Sequence, residues 1–261
     1  MEIEPNLEFL VSSLKPVMRR AGEAVIEVYK SGKKEIETKG DGSPVTIADK
    51  RSENILIKAL STIAPDIPII SEENSSSHLR KPSQIYFLVD PLDGTKEFLD
   101  IHGSGDFTVN IGLILNGKPI LGLIYAPVSK QLFYGLSSSG SYIERQGGSI
   151  NPIRIRKTNG KRSIAVASKK HRSEETNDWL LKNDISDIIS VSSSIKFCSV
   201  AKGDADVYPR FAPTMEWDTA AGHAILLGAG GFVTLDDGIT PLLYGKKDYR
   251  NGNFIAWGGM K

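Results

Sequence analysis

Apolar residues recur at three- and four-residue steps through Leu7, Leu10, Val11, Leu14, Val17, Met18, Ala21, Val25 and Val28. That spacing predicts one buried face of a long amphipathic helix. Pro16 falls inside the pattern and predicts a kink or a division near Lys15. Residues 35–39 alternate and read as a short strand, 40–44 as a loop, and 46–63 as a second helix. Residues 67–70 and 85–89 are unbroken apolar runs, as expected of strands buried on both faces. Strands over 107–115 and 118–125 follow, joined by Asn116-Gly117, a strong type I′ hairpin signal. Runs at 131–135, 141–145 and 153–156 extend an antiparallel meander, so residues 1–156 read as an α+β half. Beyond it, strands at 164–168, 188–191 and 205–208 alternate with helices at 174–182, 195–202 and from Glu216 onward. Residues 157–261 therefore read as an α/β half.

The 261 residues suffice for one large domain or two closely packed ones. A net charge of +1 argues against a basic surface for nucleic acid or membrane, so an anionic ligand must be gripped by local lysines, arginines and metals. The single cysteine, Cys198, has no internal disulfide partner, which fits a reducing cytosol. The chain begins Met-Glu-Ile-Glu-Pro, acidic and without the apolar core of a signal peptide. No apolar run approaches the roughly 20 residues that span a bilayer. Cytoplasmic residence is expected, with peripheral membrane association left open.

The most informative stretch is Asp90-Pro91-Leu92-Asp93-Gly94-Thr95-Lys96-Glu97-Phe98. A strand as dry as 85–89 should not end in two aspartates unless something satisfies their charge. Gly94 permits a sharp turn, and a helix opening at Thr95 would turn backbone N–H groups toward an anion. Carboxylates beside an anion hole make sense together when cations lie between them, so the stretch reads as a metal-assisted phosphate site. Asp-x-x-Asp-Gly is also the outline of an ordinary turn and cap. Acids recur where the 67–70 strand stops, at Glu72 and Glu73, either as ligands or as solvated loop charge. Thr46 and Asp49 have a capping-box outline. Ser192, Ser193 and Ser194 precede a helix, where they suit a cap or a second phosphate with Lys196 and Lys170. Asp218 lies in the first turn of a helix, where the dipole alone explains an acid. Asp106 reads as a turn residue, His102 as an exposed loop residue and His223 as a core histidine.

The Asp90–Phe98 stretch resembles the first signature of the inositol monophosphatase superfamily, and Glu216-Trp217-Asp218-Thr219-Ala220-Ala221-Gly222 its second. Lys96-Glu97-Phe98 and Tyr208-Pro209-Arg210-Phe211 are similar to the bacterial 3′(2′),5′-bisphosphate nucleotidase branch. The resemblance covers nearly the whole chain and implies a layered α-β-α-β-α sandwich of the inositol monophosphatase and fructose-1,6-bisphosphatase type. It implies metal ligands at Glu72, Asp90, Asp93 and Asp218 and at the Leu92 carbonyl, with Glu73 as a secondary candidate. It also implies that Asp49, brought in by a mobile 39–49 flap, hydrogen-bonds Thr95, and that the pair orients an attacking water with Glu72. Asp93, Gly94 and Thr95 would hold the phosphoryl group. Ser194, Lys196, Tyr208, Arg210, Lys170 and His171 are the candidate contacts to the rest of the substrate. An all-oxygen ligand set suits Mg²⁺, with Mn²⁺ as a substitute, and the resemblance implies two or three ions and sensitivity to lithium.

The implied activity is hydrolysis of adenosine 3′,5′-bisphosphate to AMP and phosphate, a step connected with sulfur assimilation. The alternatives are an inositol monophosphatase, a fructose-1,6-bisphosphatase, or a non-catalytic metal-binding protein on the same fold. A homodimer is a further expectation.

Overall fold

The computed structural model describes residues 5–32, 36–38, 44–100, 102–157, 163–168 and 172–259. The opening stripe forms one helix, Leu7–Ser31, capped by the Asn6 side chain and closed by Gly32 in the left-handed region at φ 69°. Pro16 does not divide it. Pro16 and Ser12, whose carbonyl loses its donor, both lie on the exposed side. Water can replace the missing bond there, so the break suggested by the sequence is not needed.

The second helix, Ile47–Ile63, packs beside the first. Together they cover one face of a seven-stranded sheet whose strands lie side by side in chain order. These are Ile69–Ser71, Ile85–Asp93, Thr108–Leu115, Lys118–Ala126, Gln131–Leu136, Gly140–Glu144 and Ile150–Ile153. Only the first pair is parallel. Asn116 and Gly117 both have positive φ, 52° and 72°, as the hairpin signal requires. The last strand lies three residues ahead of its expected place, because an edge strand exposed at Ile150, Asn151 and Pro152 carries no alternating pattern.

Alternation along the Ile85–Asp93 strand divides its side chains between two layers. Phe87 and Val89 join the two N-terminal helices, while Tyr86 and Leu88 face a second core with the helix Glu216–Gly228. That helix and the shorter Ile195–Ala201 are backed by a five-stranded sheet. Its order is Asp187–Ser190, Ile164–Ala167, Val207–Arg210, Phe254–Trp257, Phe232–Leu235. The helix Glu174–Lys182 covers the outer face through Leu180. The sequence of layers is α-β-α-β-α.

The central helix approaches the large sheet closely because Gly112, Gly122 and Gly135 are register neighbours across three strands. A Cβ at Gly112 would lie 2.6 Å from the Ala220 Cβ, and one at Gly122 would run into the Ala221 carbonyl. Close approach, rather than φ, requires glycine there.

Candidate metal centre and active site

Parallel pairing of Ile69–Ser71 with Phe87–Val89 brings the carboxyl ends of both strands to one edge. Glu72 follows the first strand, its N–H donating to the Val89 carbonyl at 3.1 Å. In the second strand, register with Thr108–Leu115 shifts between Asp90 and Asp93. Pro91 has no N–H for the ladder there, and the Leu92 N–H turns inward to donate to Asp90 Oδ1 at 3.0 Å. From the opposite layer the helix Glu216–Gly228 presents Asp218, whose Oδ2 accepts the Met215 N–H at 2.7 Å.

Carboxylate oxygens of Glu72, Asp90 and Asp218 lie within 4.8 Å of one another. Burial, reinforced by Glu72, Asp93 and Asp218, pushes the Asp90 carboxyl well above the usual range. Burial and the charges of Asp93 and Glu72 do the same to Asp218. Among the described residues, no lysine or arginine forms an ion pair with Asp90, Asp93 or Asp218. Crowded carboxylates, all of them hard oxygen donors and three of them without an ion pair of this kind, form a candidate metal centre.

Asp93 lies beside this cluster and is held from the other layer. Its Oδ2 accepts from Ser194 Oγ at 2.7 Å and, more weakly, from Asn110 Nδ2 at 3.5 Å. Burial raises the Asp93 carboxyl, while the Lys196 ammonium and the Ser194 bonds pull it back. Ser194, expected to touch substrate, is buried behind Asp93, and Ser192 and Ser193 line the cavity instead.

Asp49 is buried in the first turn of its helix, with Oδ2 accepting the Thr46 N–H and hydroxyl at 2.8 and 2.7 Å. Burial outweighs these bonds, and the nearby Glu72 charge adds to it, so the carboxyl is pushed up to about 6. The expected Asp49–Thr95 hydrogen bond is not made. Thr46, three residues away, satisfies the carboxylate first, and Thr95 Oγ1 donates to the Leu92 carbonyl at 3.3 Å. That carbonyl keeps a second lone pair. Gly94 precedes Thr95 with φ 92°, in the left-handed region open to glycine.

A cavity of about 410 Å³ opens beside Asp93, Gly94 and Asp218 and runs to Lys196, Tyr208 and Arg210. Lys196 is buried, its Nζ 5.4 Å from the centre of the Tyr208 ring. Burial lowers its ammonium to about 8 against the opposing pull of Asp93, and Arg210 lowers it further. Arg210 Nε and Ser193 Oγ, both on lining residues, are buried without a hydrogen-bond partner. Unmet buried donors cost about 1–3 kcal/mol each, so this end of the cavity suits an anion. Ser192 Oγ donates to Glu97 Oε1 at 2.9 Å along the same wall.

The model of the inositol monophosphatase family matches residues 6–258. The chain belongs to that family. The 3′(2′),5′-bisphosphate nucleotidase CysQ of Salmonella typhimurium is 44% identical over 217 residues, covering 82% of this chain and 86% of that protein. The Haemophilus influenzae nucleotidase of the same name is 32% identical over 96% of this chain and 93% of its own length. The crystal structure of CysQ from Bacteroides thetaiotaomicron superposes with a TM-score of 0.83 at 36% identity, covering 98% and 99% of the two chains.

Within this family frame, His223 is a core histidine as expected, bonded through Nδ1 to the Tyr244 hydroxyl at 3.1 Å and lowered to about 3 by burial. His102 is exposed, and Asp106 accepts from the neighbouring Ser104 hydroxyl at 2.6 Å. Glu73 falls outside the three-carboxylate cluster. Lys170, His171 and the 39–43 part of the flap lie outside the described residues. Ser193 lines the cavity, as the serine cluster suggested, whereas Asn110 and His78 carry no signal in the sequence. Each acts through partners distant in the chain, and no local spacing marks them.

Proposed function

We propose that the protein is a Mg²⁺-dependent 3′(2′),5′-bisphosphate nucleotidase that hydrolyses the 3′-phosphate of adenosine 3′,5′-bisphosphate. The observation that carries this reading is the pair of unmet donors, Arg210 Nε and Ser193 Oγ, in a cavity that begins at the acid cluster. A ligand with a second phosphate would give these two donors an anionic partner that a monophosphate lacks.

Glu72, Asp90, Asp93, Asp218 and the Leu92 carbonyl would hold two or three Mg²⁺ ions, with Mn²⁺ as a substitute. Bound there, the metal supplies neutralisation of phosphoryl charge and a lowered pKa for an attacking water. The backbone N–H groups of Gly94 and Thr95 hold the phosphoryl oxygens. Glu72 and Asp49 orient the water, and Asp49 takes its proton. The water oxygen bonds to phosphorus as the bond from phosphorus to the 3′ oxygen breaks. That oxygen keeps the electron pair and takes a proton from a solvent water, while Asp49 returns the proton it accepted to solvent. Lys196, Arg210 and Ser193 grip the 5′-phosphate, with Tyr208 as the adjoining wall.

In this reading the halves 1–156 and 157–261 meet at the reacting phosphorus. Cytoplasmic residence agrees with a lone buried cysteine, and among the described residues no helix is long and apolar enough to cross a membrane.

Phosphate release from adenosine 3′,5′-bisphosphate, inositol 1-phosphate and fructose 1,6-bisphosphate, each with Mg²⁺ or EDTA, tests the reading. Preference for the nucleotide, abolished by EDTA, supports it. Preference for either sugar phosphate overturns the substrate, and Mg²⁺-independent or absent turnover overturns the metal mechanism.

A further inference from the structure

The side chain of Asn110 is fully buried on the Thr108–Leu115 strand, directly across the ladder from Asp90. Its Nδ2 donates to Ser194 Oγ at 2.9 Å. That oxygen is 2.7 Å from Asp93 Oδ2 and 3.0 Å from the Asp218 carbonyl. A hydroxyl has one proton to give. With the amide of Asn110 on one of its lone pairs, the Ser194 hydroxyl is turned outward to those two acceptors, and the carboxylate is the closer. The relay therefore anchors Asp93 at Oδ2, which Asn110 Nδ2 also approaches directly at 3.5 Å. Three elements meet at this point, since Asn110 and Asp93 belong to the large sheet while Ser194 begins the helix Ile195–Ala201.

We infer that Asn110 is a positioning residue for the metal centre, acting chiefly through Ser194 to fix the orientation of the Asp93 carboxylate. This rests on the metal reading of Asp93 proposed above and extends it to a residue that touches neither metal nor substrate. A purely structural role fits the geometry less well. Asn110 Oδ1 is buried with no partner, so the side chain is a poor choice for stability alone. An apolar residue of the same size would avoid the unmet oxygen.

That contrast supplies the test. Asn110→Leu keeps the number and branching of the side-chain heavy atoms, with bulkier methyl groups, and removes both the donor and the unmet acceptor. Ser194→Ala removes the relay's middle member and covers the case in which the leucine variant does not fold. Mg²⁺ binding to each protein is measured calorimetrically without substrate, alongside thermal unfolding in EDTA. The expected result is a Mg²⁺ dissociation constant raised on the order of 10-fold or more, as for other residues that orient metal ligands. Unfolding in EDTA should be unchanged or later for Asn110→Leu, and the substrate KM at saturating Mg²⁺ should be close to that of the parent protein. A folded Asn110→Leu or Ser194→Ala protein that binds Mg²⁺ within about twofold of the parent overturns the inference. If the parent protein itself binds no Mg²⁺, the metal reading of Asp93 fails first, and this inference with it.

Discussion

The imidazole of His78 lies on the indole of Trp217, with ring centroids 4.7 Å apart and planes within 21° of parallel. The same imidazole contacts the Ser71 carbonyl through Nε2 at 2.8 Å. One side chain therefore ties the residue before Glu72 to the residue before Asp218. Trp217 is buried and has Tyr249 as its other aromatic neighbour, 6.4 Å away. The clasp spans the two layers that carry the acid cluster.

His78→Ala removes the stacked ring and one donor to the Ser71 carbonyl, which keeps the Asn74 N–H at 3.1 Å. Loss of about 1–2 kcal/mol is expected, since aromatic pairs contribute about 0.5–1.5 kcal/mol beyond area burial. Thermal unfolding should show it as a midpoint lower by several degrees. An unchanged midpoint would mean that the contact is incidental.

Asp93→Asn keeps the shape of the side chain and both its neighbours, Ser194 and Lys196. It should fold normally and lose on the order of 100-fold or more in turnover, because a charged ligand is gone. Phosphate release measured beside circular dichroism distinguishes this from unfolding, and near-normal turnover would remove Asp93 from the metal centre.

The acid cluster sets a pH dependence for the metal-free protein. Asp49 is raised to about 6, and Asp90 and Asp218 are raised well above the ordinary carboxylate range, chiefly by burial. The folded state thus holds protons that the unfolded state releases as pH rises above about 4. More protons on the folded side means that these groups subtract stability as pH rises through 4 to 6 and beyond. Mg²⁺ competes for the same oxygens. The rise in unfolding temperature produced by Mg²⁺ over EDTA should therefore be larger at pH 8 than at pH 5. An equal or larger rise at pH 5 would contradict the cluster as the binding site.

Gly122→Ala adds one methyl group at the point where the central helix meets the sheet. The Ala221 carbonyl has no room to retreat without moving the helix, so a loss of about 1–3 kcal/mol or more is expected. Comparison with Gly252→Ala, an open position where nothing lies within 4 Å, isolates the effect. Equal unfolding midpoints for the two variants would refute it.

The sequence made the frame of the site legible where local rules decide it. The apolar run at 85–89 could only be a buried strand, the Asn116-Gly117 pair set the turn between the next two strands, and the Thr46–Asp49 capping box formed as its outline suggested. The acids at the strand ends were visible for the same reason, since charge after a dry strand demands a partner. What could not be read was which groups complete one another across the fold. Asn110 and Ser194 are 84 positions apart, and Ser194 and Asp93 are separated by 101. Asp49 was assigned to Thr95 by resemblance, and a nearer threonine took it. Pro16 illustrates the converse, a strong local signal made harmless by facing water.

The glycine stripe under the central helix has a further consequence. Asp90 belongs to the sheet and Asp218 to the helix lying on it, so the gap between those carboxylates is set by how deeply helix and sheet nest. Gly112, Gly122 and Gly135 carry no functional group, yet they act as the gauge of the metal centre. A bulkier residue at any of them would widen the bite of the acids and shift the ionic radius they prefer, away from a small ion and toward a larger one. If the acid cluster holds a cation as proposed, its bite is governed partly by positions that hold no side chain at all.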